Sequence, residues 1–124
     1  TNSILWGNGD DIYEVSPGLT LGYSCVEDGD NAGTNECVNA DPLFADNTYY
    51  HLLSRAGYYQ NGYFGGGSWT ILASVTSPLI DAADPKTPYQ EETTPNGLRA
   101  NMGAYGGTPV ASRSAGRGFL ILFR

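Results

Sequence analysis

The sequence has little positive charge, and this limits the partners that the protein can hold. Its 124 residues include six lysines and arginines against thirteen acidic residues, which gives a formal net charge of −7 at pH 7. A protein that binds nucleic acid neutralises phosphates with basic side chains, so a nucleic-acid partner is not expected. Three of the six basic residues, Arg113, Arg117 and Arg124, lie in the last twelve positions, so the C-terminal tail is locally basic.

Long apolar runs are also absent from the sequence. The longest candidate, residues 119–123, is far shorter than the roughly 18 residues that a membrane span requires, so no span is expected. The chain starts at Thr1 without a charged and then apolar leader, so we expect a processed or truncated product. One lysine, abundant tyrosine and glycine, and a pair of cysteines are typical of an oxidising extracellular compartment, and they predict a secreted or cell-surface protein.

Helix signals are nearly absent, because glycine, proline or asparagine interrupts every window with helical apolar spacing. We therefore predict an all-β chain with short strands and frequent turns. Asn61-Gly62, between Tyr58-Tyr59 and Phe64, is the clearest hairpin signal. The predicted strands are residues 3–6, 11–15, 19–26, 43–45, 49–53, 68–75 and 78–80.

A faint internal repeat aligns residues 2–6 with residues 22–26, an offset of twenty residues. Such a period indicates a solenoid in which neighbouring coils stack to close the core, although short strands in a sandwich can show the same offset by chance. In a solenoid the two segments would lie parallel in one sheet. Because side-chain direction repeats every two residues, the offset predicts that Ile4, Trp6, Ser24 and Val26 share one orientation.

Several motifs in the second half occur in an order that resembles one family. They are Asn39-Ala-Asp-Pro-Leu-Phe-Ala45, Tyr50-His-Leu52, Ser77-Pro-Leu-Ile-Asp-Ala-Ala-Asp-Pro85, Pro95-Asn-Gly-Leu-Arg99 and Asn101-Met-Gly-Ala-Tyr-Gly-Gly-Thr108. The order resembles the C-terminal end of secreted bacterial right-handed parallel β-helix repeat proteins, the pectate-lyase-like superfamily.

This resemblance implies an all-β, right-handed parallel β-helix of few coils with an irregular C-terminal cap. Residues 1–114 would form the coils and cap motifs, and residues 115–124 a basic and apolar tail. Ala83 stands where the family has glycine, which makes a left-handed backbone less favourable there. The resemblance implies a fold and not a reaction, because its members include lyases, glycosidases and adhesins.

Asp81 and Asp84 flank a turn of small residues after the apolar residues 78–80. Paired carboxylates serve acid and base catalysis in glycosidases, but the alternative is structural. The cation that the motif order places nearest is Arg99, and a charge-assisted pair would tie the terminal segments together. We predict such a lock, in which Asp81 or Asp84 is bonded to Arg99 or to backbone amides of residues 101–104.

Cys25 and Cys37 lie twelve positions apart across a glycine-rich turn. The even count and the composition predict a disulfide between them. The acidic residues around this turn offer oxygen ligands that Ca²⁺ accepts, but they lack the regular spacing of a calcium loop, and a solvated turn explains them equally. The weak calcium candidates are Asp28, Asp30 and Glu36, and no other cofactor is expected.

Few residues are suited to catalysis. His51 is the only histidine, and no Gly-x-Ser-x-Gly elbow accompanies it. Lys86 is the only lysine, and no basic cluster for a uronate carboxylate surrounds it. No catalytic residue is therefore assigned, and an enzyme contained wholly in this chain is not favoured.

Aromatic residues are in surplus, with nine tyrosines and two tryptophans. Exposed aromatic rings can stack on sugars or anchor interfaces, whereas buried ones would fill the core of a small domain. A glycine-rich loop at residues 65–67 beside them suggests a surface position. The candidate glycan contacts are Tyr58, Tyr59, Tyr63 and Trp69.

Two functions follow from these expectations. The first is a non-catalytic extracellular structural or adhesive module that self-associates and contacts glycans. The second is the C-terminal part of a polysaccharide lyase or glycoside hydrolase whose catalytic coils lie outside this chain. An apolar C-terminal strand could add to an exposed sheet edge of another copy, giving a homo-oligomer or a filament. The candidate interface residues are Phe119, Leu120, Ile121, Leu122 and Phe123.

Overall fold

The computed structural model describes residues 1–7, 22–27, 33 and 35–114. These residues contain four short strands and no helix. The strands are β1 (Ile4–Leu5), β2 (Cys25–Val26), β3 (Tyr58–Gln60) and β4 (Ser68–Thr70). Since this part of the chain forms no helix, none in it is long and apolar enough to cross a membrane.

The predicted right-handed parallel β-helix is wrong. The four strands form two separate two-stranded sheets, one of them antiparallel, and no solenoid coils stack over the described residues. The apolar runs are too short and too often interrupted to extend into continuous ladders. Side chains bond the backbone instead: the hydroxyls of Ser54 and Ser112 donate to the carbonyls of Arg113 and Leu52, which satisfies polar groups that a ladder would otherwise pair.

The predicted parallel pairing of the first repeat segments is confirmed, but its register is not. β1 pairs with β2 in parallel, with Ile4 opposite Cys25 and Leu5 opposite Val26, an offset of twenty-one residues and not twenty. A shift of one residue moves every side chain to the other face of a strand. Ile4 therefore packs with Cys25, whereas Val26 packs on the opposite side with Leu5.

The core lies where these segments meet the C-terminal turns. Its buried residues are Cys25, Leu52, Leu79 and Met102. Partly buried apolar side chains pack around them: Ile4, Trp6, Tyr23, Phe44, Ile80 and Ala82. The core joins residues from both ends of the described chain, from Ile4 to Met102. Burial of such side chains contributes roughly 1.5–3 kcal/mol each.

The predicted disulfide is not formed in the structure. Cys25 and Cys37 are both buried, but Cys25 belongs to the core around Leu79, whereas Cys37 packs with Val26 in a second, smaller cluster. The Cys25 thiol approaches the carbonyl oxygen of Ala40 at 3.1 Å. The two side chains serve as small apolar core residues, which is a common role for cysteine thiols.

The hairpin at Asn61-Gly62 is confirmed, with a different second strand from the one predicted. β3 pairs antiparallel with β4, so the connecting loop spans residues 61–67 and Phe64 lies in the loop. At Gly67 a Cβ atom would collide with the Gln60 carbonyl, and the Gly67 amide donates to the Tyr59 hydroxyl at 2.8 Å. The loop is therefore wider than a two-residue turn, and it closes where the Gly67 backbone lies against the Gln60 carbonyl, a position without room for a side chain.

Candidate functional site

An open groove with a volume of about 1060 Å³ runs along the surface. One side is the N-terminal segment, residues 1–7, and the other consists of residues from three later turns. Seven of its lining side chains are aromatic: Trp6, Phe44, Tyr49, Tyr50, Tyr63, Phe64 and Tyr105. Apolar, aromatic-lined concave surfaces are the usual form of a ligand site, so this groove is the candidate functional site.

The N-terminal side of the groove is attached to the turn at residues 103–105. The Gly103 amide donates to the Asn2 carbonyl at 2.7 Å, and a Cβ at position 103 would lie 2.7 Å from Ile4 Cδ1. The Asn2 side chain also bridges to the later turn, because its Nδ2 donates to Thr87 Oγ1 and its Oδ1 accepts the Asp84 amide. These contacts hold the N-terminal segment against the later turns at residues 84–87 and 103–105.

Asp46 shapes the opposite side. Its Oδ1 accepts the backbone amides of Thr48 at 2.9 Å, Tyr49 at 2.7 Å and Tyr50 at 3.3 Å. Burial acts to raise the pKa of this carboxyl, but the three amide donors and the nearby His51 outweigh it and hold the pKa below its usual value. An ionised Asp46 therefore fixes the turn that presents Tyr49 and Tyr50 to the groove.

The aromatic side chains contact one another in pairs. Tyr49 meets Tyr63 edge to face with centroids 4.7 Å apart, and Phe64 lies tilted against Tyr105 at 5.1 Å. The Tyr105 hydroxyl donates to the Tyr49 carbonyl at 2.6 Å. Such pairs stabilise ring positions by about 0.5–1.5 kcal/mol beyond area burial, so the rings lie in defined positions before any ligand arrives.

His51 lies behind the groove and takes no part in its surface. It is fully buried, its ring stacks on Tyr105 at 3.7 Å with an interplanar angle of 15°, and Nε2 donates to the Gly62 carbonyl at 2.8 Å. Nδ1 makes no hydrogen bond to a described residue. Burial lowers the pKa of His51, whereas hydrogen bonding to the backbone of Gly62 and Tyr63 and the charge of Asp46 act to raise it. The neutral ring therefore supports the Tyr105 side of the groove.

Of the four predicted glycan contacts, the structure places only Tyr63 in the groove, with 55% of its surface exposed. Tyr59 is buried and meets Trp69 edge to face at 5.7 Å. The Arg113 guanidinium covers Trp69 at 4.4 Å from the ring centroid. Tyr58 is half-buried in β3. These three rings belong to the packing of the hairpin.

A second cluster surrounds Glu92, which the sequence did not single out. This side chain is 2% exposed, and Oε2 accepts the backbone amides of Asn101 at 2.9 Å and Gly107 at 2.8 Å. Burial raises the pKa of Glu92, and the charge of nearby Asp81 acts in the same direction, whereas the two amides lower it. Asn101 extends the cluster through its side chain, because Oδ1 accepts the Asp81 amide and Nδ2 donates to the Ser112 carbonyl.

The residues of the predicted lock take part in separate hydrogen bonds. Arg99 Nε donates to the Ala83 carbonyl at 2.6 Å, and its guanidinium lies 5.8 Å from the Tyr23 ring centroid. Asp81 Oδ2 instead accepts the Ser114 hydroxyl, and Asp84 Oδ1 accepts the Lys86 amide. The two aspartates and Arg99 therefore bond terminal segments separately, through backbone and hydroxyl groups.

The left-handed residue of this turn is Asp81, with φ of 62°, and not Ala83. Ala83 is fully buried, and its amide donates to the Ala100 carbonyl at 3.1 Å. The methyl group of Ala83 is therefore accommodated in the packed interior.

Several predicted residues lie outside the described part of the chain. Asp28 and Asp30 are two of them, and Glu36, the third calcium candidate, is exposed. Among the described residues no cluster of three potential metal ligands is present. Residues 115–124, which include Phe119, Leu120, Ile121, Leu122 and Phe123, also lie outside.

Comparison of the chain with protein-family models, with curated proteins and with solved structures finds no significant match. The candidate site therefore rests on its own geometry.

Proposed function

We propose that this chain is a non-catalytic, extracellular adhesive module that binds glycan chains in the aromatic groove and associates with further copies of itself. The observation that carries the glycan part is the concentration of seven aromatic side chains along one open groove. Sugar rings present C–H faces that pack on aromatic rings, while phenol hydroxyls can pair with sugar hydroxyls. The extracellular location is supported by the composition alone.

The chemistry of the lining favours binding over catalysis. Of the described residues that line the groove, none has a carboxylate or imidazole side chain, and a pair of carboxylates is what most glycoside hydrolases use as acid and base. A glycan in this groove would meet rings, hydroxyls and backbone groups. If the chain is instead part of a lyase or hydrolase whose catalytic residues lie outside it, a longer parent polypeptide, and not this chain alone, would release reducing ends or unsaturated products from a panel of polysaccharides.

Truncating Phe64 tests the glycan part. Phe64 is 63% exposed, so Phe64→Ala is expected to leave folding intact while removing one stacking surface. We expect a roughly 5- to 30-fold loss of affinity, equivalent to about 1–2 kcal/mol, measured by affinity electrophoresis through neutral and acidic polysaccharides. Leu98→Ala is the matched control, because Leu98 is 70% exposed and lies outside the groove. Equal retardation of Phe64→Ala, Leu98→Ala and the unmodified protein would contradict glycan binding in the groove.

The self-association part is supported by an apolar patch that follows β4. Ile71 is 70% exposed, Leu72 85% and Val75 45%, and contiguous exposed apolar side chains mark interaction surfaces. A Cβ built at Gly57 lies 3.7 Å from Ile71 Cγ2 and 3.3 Å from Arg113 Cδ. The last described residues thus lie beside the patch, and the apolar segment 119–123 follows five positions after Ser114.

We expect deletion of residues 115–124 to convert a homo-oligomer or filament into a monomer, because strand addition by residues 119–123 would be lost. Light scattering of the full chain and the deletion variant measures this change. Ile71→Ser with Leu72→Ser should have the same effect from the other side of the contact. A full chain that is already monomeric would contradict self-association.

A further inference from the structure

His51, the only histidine of the chain, connects separate parts of the groove from behind. Its ring stacks on Tyr105 with centroids 3.7 Å apart and meets Tyr59 edge to face at 5.5 Å. Its Nε2 lies 2.8 Å from the carbonyl oxygen of Gly62, the residue directly before Tyr63. Tyr105 and Tyr63 both line the groove, so the imidazole holds two lining segments together.

The hydrogen bond to Gly62 fixes which ring nitrogen carries the proton. A carbonyl oxygen only accepts hydrogen bonds, so Nε2 is the donor and Nδ1 of the neutral ring has no hydrogen. Nδ1 makes no hydrogen bond to a described residue, and the His51 side chain is fully buried. A proton taken up at Nδ1 would therefore be a buried donor without an acceptor, on a ring that has also gained a charge, and both are costly.

The groups that face His51 do not compensate for this cost. Asp46 supplies the carboxylate charge that favours a protonated ring, but its Oδ1 already accepts three backbone amides. The other elements around the ring contribute Tyr59 from β3, Tyr105 from its turn, and backbone groups of the loop at residues 61–67. Burial outweighs these contributions and lowers the pKa of His51. The protonated ring is therefore favoured only where it reaches water.

We propose that His51 makes the groove sensitive to pH, an inference that rests on the proposed glycan binding. In acidic solution His51 takes up a proton at Nδ1 and leaves its buried position, and the loop at residues 61–67 separates from Tyr105. Tyr63 and Phe64 belong to this loop and line the groove, so the groove loses its defined shape and the glycan dissociates. The module binds at neutral pH and releases its glycan below about pH 6.

The direction follows from the proton balance between the closed and open forms. An exposed imidazole binds a proton below its usual pKa of 6.5, whereas the buried ring of His51 does so only at lower pH. Between these two values, each fall of one pH unit raises the ratio of open to closed molecules by up to about 10-fold. Asp46 stays ionised here, because its pKa lies below its usual 3.8. Glu92 has the opposite sign, since its buried carboxyl retains a proton that acidic solution supplies.

Amide hydrogen exchange of the full chain tests the opening without any ligand. The Gly67 amide donates to the Tyr59 hydroxyl at 2.8 Å, beside His51. We expect its protection, relative to an unstructured peptide at the same pH, to fall by roughly 5-fold or more between about pH 6.5 and pH 5. The Val26 amide, which donates to the Val38 carbonyl at 3.0 Å, is the internal control and should change by less than about 2-fold.

His51→Gln is the matched variant, because glutamine can still donate to the Gly62 carbonyl and does not titrate. Its Gly67 protection should change by less than about 2-fold over the same pH range. Titration calorimetry with a neutral β-glucan should show a roughly 3-fold or larger loss of affinity for the unmodified protein between about pH 7.5 and pH 5, and none for His51→Gln. An NMR titration of the His51 ring in the unmodified protein, which needs no variant, should show proton uptake over the range in which Gly67 protection falls.

The outcomes separate the inference from the function on which it rests. Constant Gly67 protection in the unmodified protein, or an equal fall in a folded His51→Gln variant, would overturn the role of His51. Falling protection with a pH-independent glucan affinity would also overturn the inference, because the opening would not reach the groove. Absence of glycan binding at every pH would overturn the proposed function, whereas the exchange experiment would still decide whether proton uptake by His51 opens the loop.

Discussion

Replacing Glu92 with alanine is expected to destabilise the protein by about 3–5 kcal/mol. The change leaves two backbone amides, the buried one of Asn101 and the partly buried one of Gly107, without the carboxylate that accepts their hydrogen bonds. Each buried donor without a partner costs about 1–3 kcal/mol, and the vacated volume adds to this. Urea denaturation followed by tyrosine and tryptophan fluorescence measures the loss. A Glu92→Ala variant with an unchanged midpoint would contradict this role.

Glu92→Gln is the matched control, because it keeps an oxygen acceptor and removes the charge. We expect a loss of only about 1–2 kcal/mol and a changed pH dependence. Burial raises the pKa of Glu92 above its usual value of 4.5, so the folded state retains a proton that the unfolded chain has released. Glu92 therefore lowers the free energy of unfolding as pH rises from about 4.5 through the raised pKa. In the Glu92→Gln variant the free energy of unfolding should fall less over the same pH range. Parallel curves of unfolding free energy against pH for the two proteins would contradict a raised pKa of the Glu92 carboxyl.

The fold was predicted correctly only where the signal was local. Asn61-Gly62 marked a hairpin that exists, and two similar apolar segments do pair in parallel. The solenoid failed because a repeat seen in two segments does not specify further coils. The register failed because an offset of twenty and one of twenty-one residues cannot be distinguished in runs of five residues, yet they place opposite faces inward.

The groove could be predicted only in part, because its sides come from distant parts of the chain. The aromatic surplus pointed to a surface function, but Trp6 and Tyr105 are almost one hundred positions apart, and only the tertiary fold brings them to the same groove. Local spacing favoured Tyr59 and Trp69, which instead pack in the hairpin beneath Arg113. In short strands the pattern of apolar and polar residues does not distinguish an aromatic ring that faces inward from one that lies in a loop.

The C-terminal cluster shows a similar limit. The motif order brought Asp81 and Arg99 forward as an ion pair, because opposite charges are the most visible partners in a sequence. The structure connects these turns mainly through Glu92 and Asn101, whose partners are backbone amides and carbonyls. Backbone groups have no sequence signature, so a carboxyl that serves them cannot be recognised before the chain path is known.

The last prediction concerns Gly106, where a methyl group has no room. A Cβ at this position would overlap the carbonyl oxygen of Asn101 and lie 2.9 Å from its carbonyl carbon. Both are backbone atoms, and the same residue bonds Glu92 and Ser112, so it cannot move without disturbing the cluster. We expect Gly106→Ala to cost about 3 kcal/mol, at the upper end of overpacking substitutions, measured by urea denaturation.

Gly65→Ala isolates the steric cause, because the two glycines differ mainly in the space around them. No atom lies within 4 Å of a Cβ built at Gly65, and neither glycine has a positive φ. The intrinsic backbone effect of alanine is therefore similar at both positions, and Gly65→Ala should change stability by less than about 0.5 kcal/mol. Since Tyr105 directly precedes Gly106 and lines the groove, Gly106→Ala should also weaken glycan binding, whereas Gly65→Ala should not. Equal stability and equal binding of the two variants would show that the turn at 103–107 does not hold the groove in place.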